Sequence, residues 1–202
     1  MGLSAPCRTR LLEIARSALL EKLNNTVATP LADPAPTETE LTTPAGCFVS
    51  LHERSTHRLR GCVGRIDPHL PLWENVRHSA GEVLHDPRFT EQPVTADDLP
   101  DLEIEVSVLS PPREAKSSLD FDLKEGIYLI FGGRAGFFLP QVARETGWNK
   151  EQLLDRLCTE KLGMPPESWR KPEAKLYTFE VEVIGPTLVQ FGEMRHFDAD
   201  QK

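Results

Sequence analysis

Along residues 10–23 the apolar positions Leu11, Leu12, Ala15, Ala18, Leu19 and Leu23 recur at helical spacing, which predicts an amphipathic helix whose task is packing. The pattern then stops. Residues 24–46 place Pro30, Pro34, Pro36 and Pro44 among Thr, Asn, Asp and Glu, a composition that sustains neither a helix nor a central strand, so an extended surface loop is expected. Cys47 to Leu51 is a β-prone run, residues 53–56 read as a turn, and His57 to Val63 returns as the second arm of a hairpin. Asp67-Pro68 breaks that arm. Leu72, Trp73, Val76, Ala80, Val83 and Leu84 form the stripe of a helix that stops before Asp86-Pro87, and a polar loop fills 85–100. Leu102, Ile104, Val106 and Val108 alternate with Asp101, Glu103, Glu105 and Ser107, the period of a half-buried strand ended by Pro111-Pro112.

The second half reads similarly. Ile127 to Phe131, a Gly132-Gly133 turn and Gly136 to Leu139 predict a hairpin. Pro140 opens a short helix ending at Gly147, and Asn149 with Gln152 has the form of a capping box for a helix carrying Leu153, Leu154, Leu157, Cys158 and Leu162, with Gly163 as its stop. Tyr177, Phe179, Val181 and Val183 alternate with Thr178, Glu180 and Glu182 as a last strand, and the tail after Pro186 is uninformative. One offset aligns Glu105 with Glu180, Pro111 with Pro186, Gly61 with Gly136 and Trp73 with Trp148. Such self-similarity suggests a duplicated ββαβ unit, 47–112 and 127–186. Cys62 then corresponds to Phe137.

Composition narrows the class. A chain of 202 residues, 39% apolar and 27% charged, is long enough for a sizeable core without staples, and its 17 prolines imply long irregular connections. The net charge of −8 opposes non-specific attraction to phosphate backbones, so nucleic acid is a disfavoured partner. Cys7, Cys47, Cys62 and Cys158 lie far apart with no Cys-x-x-Cys pair, which is neither a disulfide framework nor a zinc signature and fits a reducing cytoplasm. No apolar run has signal-peptide or membrane-span length. A soluble, cytoplasmic protein without a membrane anchor is expected.

The segment richest in chemistry is Leu59-Arg60-Gly61-Cys62-Val63-Gly64-Arg65, a thiol between glycines and arginines. Two readings stand side by side. Nearby positive charge favours a nucleophilic thiolate; against it, free cysteine is a small hydrophobe that strand packing buries, with alternation sending Arg60 to the same side as Cys62, and the structural or pocket-lining reading is preferred. Cys47, His52, His57 and Cys62 have regular spacing, yet a hairpin that sets Cys47 opposite Cys62 separates the two pairs by ~17 Å, too far for one ion with bonds of ~2.0 to 2.3 Å. No metal site and no cofactor is expected from them. Asp86-Pro87-Arg88-Phe89 is either a capped turn or a carboxylate and guanidinium reaching the thiol, with Glu105 on the adjacent strand. Gly132-Gly133-Arg134-Ala135-Gly136 lacks the Lys-Ser/Thr of a phosphate loop.

Leu59 to Gly64, Asp86 to Phe89, Leu102 to Leu109, and Leu139-Pro140-Gln141-Val142-Ala143 with Gly147-Trp148 together resemble the AMMECR family, known in prokaryotes as AmmeMemoRadiSam system protein A, from about Phe48 to Val183. The resemblance implies a single domain of α+β fold, in two unequal subdomains with mainly antiparallel sheets and flanking helices, and a cleft near the Arg-Gly-Cys segment. It also implies association with a Memo-like protein and a radical-SAM protein. This chain has no radical-SAM Cys-x3-Cys-x2-Cys motif, so radical chemistry would belong to the neighbour.

Three functional expectations follow. In the first, an accessory module binds a small anionic, zwitterionic or peptide ligand in a cleft lined by Arg60, Gly61, Cys62, Asp86, Arg88, Glu105 and Gln141. In the second, an enzyme uses Cys62 as nucleophile, assisted by His57, His78 or His85. In the third, the acidic surface and the 24–46 loop contact a protein partner.

Overall fold

The computed structural model describes residues 2–23 and 36–188. The described chain divides into a larger unit, Leu3–Ser107 with Val183–Leu188, and a smaller one, Val108–Glu182.

In the larger unit, α1 (Ala5–Leu23) begins a turn and a half before its apolar stripe predicts, because Cys7 extends the buried face formed by Leu11, Ile14, Ala15, Ala18 and Leu19. A single helical turn, α2 (Thr39–Thr42), interrupts the expected loop and buries Leu41; residues 24–35 of that loop, including Pro30 and Pro34, lie outside the described residues. Strands β1 (Cys47–Glu53) and β2 (Leu59–Arg65) form the hairpin. Helix α3 (Leu72–Glu82) packs on both strands and on α1, so the unit layers sheet, helix, helix. Its sheet has the order β2-β1-β3-β8, with β3 at Leu102–Leu109 and β8 at Val181–Leu188. The interior position of β1 explains why Cys47, Phe48, Val49, Ser50 and Leu51 are buried in succession rather than alternately.

The smaller unit has the sheet order β4-β7-β5-β6, with β4 at Arg113–Glu114, β5 at Gly126–Phe131, β6 at Arg134–Phe138 and β7 at Lys175–Phe179. Pro140 opens α4 (Pro140–Thr146), and Gly147 closes it at φ 67°. The capping box is formed: Gln152 N–H donates to Asn149 Oδ1 at 2.9 Å and Asn149 N–H to Gln152 Oε1 at 3.0 Å, starting α5 (Lys150–Arg156). One π-helical turn, Leu157–Leu162, carries α5 on to Gly163. Leu153, Leu154, Leu157, Cys158 and Leu162 pack with Ile127, Leu129, Phe138 and Leu176 as this unit's core. In both units a hairpin, helix and strand follow one another with the first strand in the middle, β2-β1-β3 and β6-β5-β7.

The predicted last strand, Tyr177 to Val183, is two strands in two sheets. Leu176, Thr178 and Phe179 are buried, Tyr177 is half-buried, and Val183 is 47% exposed. A strict alternation cannot survive a change of sheet, and the change comes at Glu180. There the ladder gives way to Ser110, whose N–H donates to Glu180 O at 3.0 Å and whose Oγ accepts from Glu180 N–H at 2.9 Å. Among the described residues no helix is long and apolar enough to cross a membrane.

Candidate functional site

Two glycines let β2 sit where it does. A Cβ on Gly61 would lie 2.8 Å from Val83 O, and one on Gly64 would lie 2.0 Å from Cys47 O and 2.5 Å from Phe48 Cα. Neither residue needs a left-handed backbone; both serve close approach, Gly61 to the 3-10 turn Val83–His85 and Gly64 to β1. The two residues between them, Cys62 and Val63, are thereby held beside the end of the α3 segment.

The turn that follows is capped. Asp86 accepts from Arg88 N–H at 3.0 Å and Pro87 occupies the first position of the 3-10 turn Pro87–Phe89, where no N–H is needed. The same carboxylate accepts from Cys62 N–H at 2.9 Å, and Arg88 Nη2 donates to Cys62 O at 2.9 Å. An ion pair of side chains therefore satisfies both main-chain groups of Cys62, as a neighbouring strand would. Arg88 closes the arrangement through Nε to Asp86 Oδ1 at 3.0 Å and Nη2 to Asp86 Oδ2 at 2.6 Å. Burial pushes the Asp86 carboxyl up, but the Arg88 guanidinium and the Cys62 and Arg88 N–H groups outweigh it and hold the carboxyl below its usual range. The Asp86 side chain is 3% exposed and that of Arg88 58%. Of the five guanidinium N–H groups, Nε and both on Nη2 are engaged, leaving the two on Nη1 without a hydrogen bond to oxygen or nitrogen among the described residues, on a guanidinium that stands 5.5 Å over the Phe89 ring and interacts with the Cys62 thiol.

Arg60 belongs to a different set of contacts. Leu51 pairs with Gly61 and His52 with Leu59, so Arg60 is the extra residue of a β-bulge and the alternation that would align it with Cys62 is interrupted. Its side chain, 10% exposed, donates to Glu53 Oε1 at 3.2 Å and to Gln92 O at 3.4 Å, and Asp98 lies 3.8 Å away. Arg58 and Thr56 also donate to Glu53, and these bonds lower its pKa to about 2. Glu53, Gln92 and Asp98 are absent from the expected site. Asp98 was legible, since Thr95-x-x-Asp98 forms a capping box in the predicted polar loop, with Thr95 N–H donating to Asp98 Oδ2 at 2.7 Å.

Glu105 is half-buried at the middle of β3 and makes no hydrogen bond or ion pair to Cys62, Asp86 or Arg88 among the described residues. Gln141 is in the smaller unit, on the first turn of α4, with Oε1 buried and unpaired. Cys62 is half-buried, whereas Cys7, Cys47 and Cys158 are buried. His57, His78 and His85 are all exposed, and among the described residues none hydrogen-bonds Cys62. Cys47 pairs with Arg65 and Cys62 with Ser50 rather than with each other, because the turn closes between Glu53 and Arg58 and the bulge at Arg60 adds one residue to β2.

Relatives of this chain have the same breadth. A protein of Methanocaldococcus jannaschii is 36% identical over 69% of this chain and 72% of its own length, and one of Methanothermobacter thermautotrophicus is 35% identical over 86% and 91%. The crystal structure of an uncharacterized protein from Pyrococcus horikoshii matches with a TM-score of 0.74 and 33% identity, covering 86% of this chain and 88% of that one. The model of the AMMECR1 family spans residues 12–184, and the chain belongs to that family.

Proposed function

We propose that this protein is an accessory, ligand-binding module that works with a Memo-like protein and a radical-SAM protein in a modification or redox pathway. The strand around Cys62 and the turn around Arg88 form its binding surface. The observation that carries this reading is the Arg88 guanidinium. Asp86 and Cys62 O hold it in one orientation, its Nη1 donors make no hydrogen bond to oxygen or nitrogen among the described residues, and most of the side chain is exposed beside a half-buried thiol. A guanidinium fixed in advance loses little rotamer entropy when it takes a carboxylate or another oxyanion. The choice of partners rests on the family resemblance alone.

The test is co-purification of the tagged protein with the Memo-like and radical-SAM proteins of the same cell. Retention of at least one by the parent chain, weakened in Arg88→Ala, is expected. Equal retention by Arg88→Ala, or none by the parent chain, would remove the proposal.

A second reading, an enzyme with Cys62 as nucleophile, is favoured by one observation: Cys62 is the only one of the four cysteines that is not buried. It calls for a base that none of His57, His78 or His85 supplies in this geometry. Thiol labelling of the native protein against pH decides it. Labelling of Cys62 well below the ordinary thiol range of about pH 8.5 favours the enzyme, and labelling only above it leaves the accessory module.

A further inference from the structure

The loop joining β4 to β5 in the smaller unit holds two leucines in solvent. Leu119 and Leu123 are each 39% exposed, and they are two of the three exposed large apolar side chains among the described residues. The loop around them is tied down. Asp120 N–H donates to Ser117 O and Glu125 N–H to Asp122 O, each at 3.0 Å. The Glu125 carboxylate accepts from Asp122 N–H at 2.8 Å and from Arg113 Nη2 at 2.6 Å, and Lys150 Nζ donates to Leu119 O at 3.0 Å. The leucines are therefore presented by a built turn, whose ordering entropy is lost on folding and need not be lost again on contact with a partner.

Beside them is a cleft of about 490 Å³ lined by Leu123, Asp120, Asp122 and Lys150, at whose floor Phe121 is buried beneath the Lys150 ammonium, 5.1 Å over its ring. It is broad and open. A small molecule would leave much of its surface in water there, whereas a polypeptide segment crossing the cleft can cover both leucines. Charge narrows the occupant further. Arg113 is matched by Glu125, which leaves Lys150 against the exposed carboxylates of Asp120 and Asp122, an excess of negative charge beside the two leucines.

We propose that this cleft docks an extended segment of a partner protein in which apolar side chains flank a lysine or arginine, the apolar groups on Leu119 and Leu123 and the basic one at Asp120 and Asp122. It is a surface additional to the Cys62 and Arg88 segment and stands or falls separately from it.

The experiment is a nitrogen-15 NMR titration of the full chain with acetyl-Leu-Lys-Leu-amide, using acetyl-Leu-Glu-Leu-amide and acetyl-Ser-Lys-Ser-amide as comparisons. Saturable shifts at the amides of Phe121, Asp122, Leu123 and Lys150 are expected with the first peptide, with both comparison peptides about tenfold weaker or more. Leu123→Ser should abolish the shifts, and Asp120→Lys, which alters a carboxylate that caps nothing, should reverse the preference between lysine and glutamate peptides. The unchanged spectrum of β5 and β7 shows that each variant is folded. No saturable shift at these residues, or equal binding of the two charged peptides, would overturn the proposal. So would concentration-dependent shifts there without peptide, since a second copy of the chain would then be the occupant.

Discussion

Asp86 is the residue on which the geometry around Cys62 turns, since one buried carboxylate serves the N–H of its own turn, the N–H of β2 and the guanidinium of Arg88. Asp86→Ala leaves the Cys62 N–H without its acceptor and Arg88 without its anchor, and a loss of about 1 to 3 kcal/mol in urea unfolding is expected. Arg88→Ala should cost more than replacement of an ordinary surface arginine, because it strips the countercharge from a carboxylate that is 3% exposed. Equal stability of both variants with the parent would mean that the pair is idle. Acid stability follows from the same logic at Glu53. Its folded pKa is depressed to about 2 from 4.5 by the Arg58, Thr56 and Arg60 hydrogen bonds. A depressed carboxyl contributes stability that is present above the unfolded value and lost as pH falls through the folded one. Unfolding midpoints measured between pH 5 and about 2 should therefore fall less steeply in Glu53→Gln than in the parent chain.

At the scale of the element, β2 depends on two positions having no side chain. The Gly64 Cβ contacts would be with the main chain of β1, at 2.0 and 2.5 Å, so no rotamer change relieves them and the two strands would have to part. Gly64→Ala should cost ~3 kcal/mol or more, the upper end of overpacking, as read by thermal or urea unfolding. Gly61→Ala meets the Val83 carbonyl at 2.8 Å and should be milder, because a 3-10 turn can shift where a paired strand cannot. A Gly64→Ala protein as stable as the parent would show that the hairpin tolerates a separation its register does not suggest. The π-helical turn at Leu157–Leu162 has its own support, with Arg134 Nη1 donating to Leu162 O at 2.7 Å and to Gly163 O at 3.1 Å. A cation at the open carbonyls of a helix end is favourable on hydrogen-bonding and dipole grounds.

Across the whole molecule the fold sorts four thiols by access. Burial raises Cys47 to about 12 and pushes Cys158 up as well, and Cys7 is 4% exposed. A chromogenic disulfide reagent at pH near 8 should react with one thiol per native chain, lost in Cys62→Ser, and with all four in denaturant. More than one fast thiol in the native protein would contradict the packing described for α1 and β1. Because Cys62 is half-buried and its main chain is held by Asp86 and Arg88 whatever its side chain, Cys62→Ala should cost less than the ~2 to 5 kcal/mol of a large buried side chain.

The sequence by itself determined what depends on neighbours along the chain. The alternation from Leu102 to Val108, the Asn149 and Gln152 cap, the Gly147 and Gly163 stops and the two hairpins are all written in local spacing, and the linked motifs were enough to indicate the AMMECR family. Only the tertiary structure decided which main-chain groups the Asp86 and Arg88 side chains would satisfy, because Cys62 and Asp86 are 24 residues apart and their bond has no sequence period. It also decided the bulge that gives Arg60 to Glu53 and Asp98, and the break at Glu180 that sends β7 and β8 to different sheets. Each of these is settled by what lies across the strand rather than along it, where a one-residue change of pairing reverses every side chain's face.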